Sequence, residues 1–165
     1  MRKVLRVRIS EHGVARGSER LKSYGLGSCI CLVVFDPRKK IGAMAHVLLP
    51  KPANSHGKAK SAKYAASAVA VLVDELCGAG CDSRHLVAKI AGGANMFPRR
   101  FNLSCDAFGM SIGERNIRAV KQALARKRIR LVAEEVGGET GRTIEFNPRN
   151  GELIVYKSNG EVKVI

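Results

Sequence analysis

The chain has no tryptophan and only eight other aromatics, five Phe and three Tyr, among 165 residues. That shortage weighs against a single-stranded nucleic-acid binder, which stacks bases on aromatics set among its cations. No run of eighteen apolar residues occurs, so no membrane-spanning helix and no membrane insertion are expected. There is no Cys-x-x-Cys pair, the usual motif of a thiol–disulfide enzyme. Carboxylates are also scarce: 14 Asp and Glu stand against 29 Lys and Arg, a formal charge of +15. Such a balance favours acidic partners, whether nucleic acid, an anionic surface or an acidic protein face. The cations are dispersed, however, and densest in "PRRF" at 98–101 and "ARKRIR" at 125–130, where a solvated basic face is the simpler account. No nucleic-acid partner is expected.

What is present points to a globular enzyme-sized domain. Apolar residues make up 45% of the chain, an ordinary value, and the length suits one domain, 1–165, with one core. The five cysteines, Cys29, Cys31, Cys77, Cys81 and Cys105, are odd in number, and a chain of this size needs no disulfide staples. Their spacing completes no zinc set and the four histidines are scattered, so neither metal nor cofactor is expected. The basic start "MRKVLRVRIS" alternates rather than forming an apolar leader, which favours a cytoplasmic protein.

Patterning gives the order of elements. Residues 4–9 alternate and suit a strand, whereas the polar stretch 11–20 suits a loop. The apolar run 30–35, the turn "DPRKK" and the run 41–49 suit a hairpin whose first strand is covered on both faces. Tyr64, Ala68, Leu72 and Leu76 recur every four residues in a helix from about 60, ending at Gly78. Residues 85–91 form a strand running into Gly92 and Gly93. Ser111-x-x-Glu114 is a capping box, opening a helix to about 127 on Ile117, Val120 and Leu124. Strands are then expected at 131–136, 142–147, 152–157 and 161–165. The order implies an α/β or α+β layered sandwich of mixed β-sheet and helices.

The stretch "SYGLGSCICLVVFD", residues 23–36, raises the chemical question. Cys29 stands where a glycine-bearing turn enters a buried strand. It is either a small hydrophobe at a strand start or a nucleophile held at a strand end. A nucleophilic thiol needs a base and an oxyanion hole. The turn at Gly27 and Ser28, with Gly25 before it, can present backbone amides for the second need. For the first, His46 lies seventeen residues on, in "GAMAHVLLP", and the hairpin brings it to the same end as Cys29. It is either that base or a satisfied core histidine. His12 and His56 fall in polar loops, and His85 begins a separate strand. Ser23, upstream of the turn, is either an exposed loop serine or the group that orients the imidazole. Cys31 shares a face with Cys29 and suits packing or, under oxidation, a disulfide. Cys77 and Cys81 flank a helix end and suit structural roles.

Six segments, "SYGLGSCICLVVFDP", "IGAMAHVLLP", "KYAASAV", "LVAKIAGGANMF", "SIGERNI" and "VAEEVGGETGRTIEFNPRNG", resemble the CheD family in the family's order, across residues 4–157. These are chemoreceptor glutamine deamidases of bacterial chemotaxis. The resemblance implies a cysteine-hydrolase fold similar to the catalytic domain of the cytotoxic necrotizing factor toxins. It implies Cys29 as nucleophile and His46 as base. The family's third position is commonly threonine, and Ser23 stands there in this chain. Chemoreceptor cytoplasmic domains are implied as substrate and a CheC-type CheY-phosphate phosphatase as partner, in competition with receptor. In "GGANMFPRRF", Met96, Phe97 and Phe101 are candidate anchors for such a partner, with core packing the alternative for Met96 and Phe97. A non-catalytic adaptor that binds receptors and the phosphatase is the alternative function.

Overall fold

The computed structural model describes residues 3–54, 61–97 and 109–165. In chain order the elements are β1 (Val4–Arg6), β2 (His12–Arg16), β3 (Arg20–Leu26), β4 (Ile30–Asp36), β5 (Ile41–Val47), α1 (Ala65–Gly78) and β6 (Val87–Gly92). They continue with α2 (Ile112–Arg126), β7 (Arg130–Val136), β8 (Arg142–Asn147), β9 (Glu152–Lys157) and β10 (Val162–Val164). The strands form two mixed five-stranded sheets, ordered β1-β3-β8-β9-β10 and β2-β5-β4-β6-β7.

The second sheet is the middle layer. On one face Ile30, Leu32, Val34, Ala43 and Ala45 pack with Ala68, Leu72 and Leu76 of α1 and Val120 and Leu124 of α2. On the other face Cys31, Val33, Phe35, Met44 and Ala91 pack with Leu21, Leu26, Ile144, Phe146, Leu153 and Val155 of the first sheet. Strand β4 is buried along its whole length because both of its faces are covered. The result is a helix–sheet–sheet sandwich, as layered α+β patterning leads one to expect. No helix of the described residues is long and apolar enough to cross a membrane.

Several boundaries differ from the sequence expectation, each for a local reason. The first strand ends at Arg6 because the chain turns at Arg8–Glu11, where the Glu11 carboxylate accepts from Arg8 N at 3.0 Å and Ser10 takes φ 64°. Part of the expected loop 11–20 is strand β2, paired antiparallel with β5 from His12↔Ala45 to Arg16↔Ile41. Only Ala15 of β2 is buried, so backbone pairing at a sheet edge makes it a strand without an apolar pattern. His12 therefore stands on that strand, not in a loop. His85 closes a 3-10 turn, Ser83–His85, capped by Asp82, and β6 starts two residues later. Helix α1 begins at Ala65 because Tyr64 is extended and bridges Leu49. The capping box of α2 is formed as read, with Ser111 Oγ accepting from Glu114 N and the Glu114 carboxylate accepting from Ser111 N.

Candidate active site

The β4–β5 ladder runs from Asp36↔Ile41 to Cys31↔His46 and Ile30↔Val47. Cys29 immediately precedes β4, so it lies diagonally across the ladder's open end from His46. Residues 29 and 31 share a strand face by alternation, and His46 stands opposite Cys31, so all three belong to the face turned toward the first sheet. Cys29 is 7% exposed and His46 is fully buried.

Ser23 reaches the site from the other sheet. It lies in β3 and is fully buried, which removes the reading of an exposed loop serine. Its Oγ is 2.8 Å from His46 Nδ1 and also donates to the Val7 carbonyl at 2.8 Å. A serine hydroxyl has one proton, and a carbonyl only accepts. With that proton on Val7, Ser23 Oγ must accept from His46 Nδ1–H. The imidazole is thereby fixed in the tautomer that leaves Nε2 with a lone pair. Nε2 is buried and has no hydrogen-bond partner. Burial lowers the His46 pKa from 6.5 to about 4 and raises that of the Cys29 thiol, so both groups rest neutral near pH 7.

The turn carrying Cys29 is held by its carbonyls. Ala94 N donates to Gly27 O at 2.9 Å, and Gly93 N donates to Cys29 O at 2.8 Å. Asn116 Nδ2 of α2 donates to Ser28 O at 2.9 Å. Among the described residues, no backbone carbonyl accepts from the Ser28 or Cys29 amide, and the Cys29 amide favours its own thiolate by hydrogen bonding. Two glycines make the close packing possible. Gly25, at φ 66°, sits where the β3–β8 register shifts, so the turn begins within β3. Gly92, at φ 116°, passes so close that a Cβ there would stand 2.2 Å from Cys29 O.

Met96 packs against Gly27 and is 45% exposed, while Phe97 is 72% exposed. Neither is a core residue. Phe101, Cys105 and His56 lie outside the described residues. Cys31 is a free thiol packed among Val33, Met44 and Ala91, with burial raising its pKa; Cys77 is exposed and Cys81 buried, both unpaired.

Sequence reasoning missed Asn116. It is fully buried, and its Nδ2 also donates to Leu48 O at 3.0 Å. The signal was available: it stands four residues before Val120 and eight before Leu124, on the buried stripe of an otherwise polar helix.

A neutral thiol and a neutral imidazole of fixed tautomer at the same end of one strand pair, with backbone amides at the thiol's own turn, are groups that acyl transfer from an amide requires. A family model described as CheD chemotactic sensory transduction matches residues 48–157. A probable chemoreceptor glutamine deamidase CheD 2 of Geobacter metallireducens is 46% identical over 164 residues, covering 99% of both chains. The chemoreceptor glutamine deamidase CheD of Thermotoga maritima is 44% identical over 161 residues, 97% of this chain and 94% of its own. A probable deamidase of the same name in Archaeoglobus fulgidus is 40% identical over 154 residues, 93% of each. The family-model match begins after Ser23, Cys29 and His46, whereas the Geobacter alignment covers 99% of this chain.

Proposed function

The chain belongs to the CheD family, and on that premise we propose that Cys29 and His46 carry out the hydrolysis of chemoreceptor glutamine side chains to glutamate. Chemoreceptor glutamine deamidation is the reaction. The observation that supports these two residues is the Ser23–His46 bond, which leaves a bare Nε2 lone pair on the strand paired with the one that Cys29 precedes.

The steps follow from that arrangement. The glutamine carboxamide enters, and His46 Nε2 takes the proton from Cys29 Sγ. The thiolate attacks the carboxamide carbon, and the oxyanion is received by the Ser28 and Cys29 amides. Imidazolium is disfavoured by burial, and Ser23 Oγ, accepting from Nδ1–H, offsets part of that cost. The imidazolium returns its proton to the departing nitrogen, ammonia leaves and a thioester remains. Water deprotonated by Nε2 then hydrolyses the thioester, giving glutamate and restoring the thiol. Serine at position 23, where the family commonly has threonine, keeps the hydroxyl that this scheme uses.

The finer parts of the reading rest on the same residues. One catalytic domain spans 1–165, with the layered cysteine-hydrolase fold of the cytotoxic necrotizing factor type. Its two helices, two sheets and strand-end cysteine support that likeness. The protein works in the cytoplasm, where receptor signalling domains lie. Met96 and Phe97, exposed next to the Gly27 turn, are the contact surface for a CheC-type phosphatase. The charge of +15 draws the enzyme to glutamate-bearing receptor helices.

The test is intact-mass and ammonia measurement on a chemoreceptor cytoplasmic fragment treated with wild-type protein or Cys29→Ala. Amide-to-acid mass gain with wild type alone is expected. Tight receptor binding with no conversion would replace this reading by the adaptor.

A further inference from the structure

The β4–β5 ladder stops at Ile30↔Val47, and since His46 turns its own N–H and carbonyl to Glu11 and Ser10, the next hydrogen-bonded rung would join Ser28 to Leu49. That rung does not form. Leu49 N, like Leu48 N, donates to Lys63 O at 3.0 Å. The carbonyls of Ser28 and Leu48 are left as two acceptors, which cannot bond each other. Asn116 spends both hydrogens of its carboxamide there, one on Ser28 O at 2.9 Å and one on Leu48 O at 3.0 Å. One carboxamide thus ties the residue before Cys29 to the residue two beyond His46. Its Oδ1 is buried with no partner, so the group is held for its donors at the cost of a bare acceptor.

The same helix supports the turn a second way. Gly113, one turn before Asn116, lies so close to the 93–94 backbone that a Cβ would stand 2.5 Å from Gly93 O. That backbone supplies the amides which hold the Gly27 and Cys29 carbonyls. The capping box at Ser111 fixes where the helix starts, and therefore where residue 116 points.

We propose that Asn116 is a positioning residue of the deamidation site: its carboxamide stands in for the missing ladder rung and fixes the separation of the Cys29 turn from the His46 strand. By holding the Ser28 carbonyl from behind, it also keeps the Ser28–Cys29 turn in the pose that offers its amides to the oxyanion. The proposal rests on the assignment of Cys29 and His46 made above.

Asn116→Leu keeps the volume and removes both donors. On a chemoreceptor cytoplasmic fragment its kcat is expected to fall on the order of 10²-fold, with KM within about twofold of wild type. Alkylation of Cys29 by iodoacetamide, located by peptide mass and followed across pH, reads the pair directly. Wild type should differ from His46→Ala, and Asn116→Leu should follow His46→Ala. Asn116→Gln, which retains both donors, should recover part of the loss. If Asn116→Leu only lowers the melting temperature, keeping kcat within about twofold and the alkylation profile on the wild-type curve, the proposal is overturned. Should that variant fail to fold, Asn116→Ser is read by the same two criteria at a temperature where its circular dichroism matches wild type. A different result separates the two claims: if Cys29→Ala still deamidates, and wild type and His46→Ala alkylate alike, the Cys29–His46 assignment has failed, and there is no pair for Asn116 to position.

Discussion

The β3–β8 pair carries two buried polar clusters a few residues apart, and they are built on opposite principles. Arg142, opposite Leu26, is fully engaged: Nε donates to Glu135 at 2.5 Å, Nη2 to Gly137 O at 2.7 Å and Nη1 to Thr140 O at 3.1 Å. Lys157 closes on the other Glu135 oxygen at 2.9 Å. Burial alone would raise the Glu135 pKa, but the hydrogen bonds from Arg142 and Lys157 outweigh it and leave the pKa below its usual value. Ser23, opposite Ile144, belongs to the second cluster with His46, whose Nε2 is buried and bare. An unpartnered buried polar atom costs stability, so a fold keeps one where something else depends on it. The satisfied cluster holds the sheet edge and its turn together. On the proposed function, the unsatisfied one is where a substrate completes the bonding.

If that division is right, substitutions in the two clusters should fail in different assays. The largest effect belongs to the open cluster. His46→Ala should lower kcat on the order of 10³–10⁴-fold, measured by ammonia release, because every proton transfer of the scheme loses its carrier. Its melting temperature should stay near that of wild type, since the imidazole is buried with one nitrogen unbonded. A His46→Ala protein that melts early yet turns over normally would erase the distinction.

Arg142→Ala is the mirror experiment. It strands the Glu135 carboxylate, 8% exposed, without its principal partner and frees two turn carbonyls. A loss of about 3 kcal/mol in urea denaturation is expected. At a temperature where the variant is still folded, kcat should remain within a few-fold of wild type. A collapse of kcat in the folded variant would mean that the network reaches into the chemistry.

Ser23 lies between the two cases and sharpens the boundary. Ser23→Ala removes the acceptor of His46 Nδ1–H, so the tautomer is no longer fixed, and kcat should fall on the order of 10²-fold. Ser23→Thr retains the hydroxyl and should keep most of the activity. Equal losses in the two variants would make room in the core, not the hydrogen bond, the quantity that matters.

The outline of this division was legible in the sequence to unequal degrees. The hairpin could be read because both strands are continuous apolar runs around "DPRKK", and pairing them brings Cys29 and His46 together by arithmetic. The capping box and the period-four stripe located α2 and α1 for equally local reasons. Edge strand β2 was not legible, because its pairing is all backbone. The division into two sheets was also hidden. Whether Ser23 faces solvent or His46 depends on which strands stack, and no local pattern encodes stacking. Asn116 was hidden by its type: a polar residue on an apolar stripe becomes informative only when its partners, 88 and 68 residues away, are in view.

Acid should separate the clusters by where each titrates. His46 binds a proton with a pKa of about 4 in the folded chain and 6.5 ordinarily. Between those values the unfolded chain holds a proton that the folded chain refuses. The unfolding free energy must therefore fall as pH drops from about 6.5 toward 4, by about 2 kcal/mol once partial solvation is allowed for, and this group adds no further slope below. Glu135, its pKa lowered from 4.5, also loses stability on acidification, but its window opens only below that value. Urea midpoints at several pH values from 7.5 downward test this. His46→Gln should flatten the upper window alone, and Glu135→Gln the lower. The same depressed pKa has a catalytic corollary: with His46 already neutral, kcat/KM in wild type should show no acid limb near pH 6.5. A limb at that value, together with a flat stability curve above pH 5, would mean that the imidazole is solvated and its Nε2 is not bare. The contrast with the ion-paired cluster would then disappear.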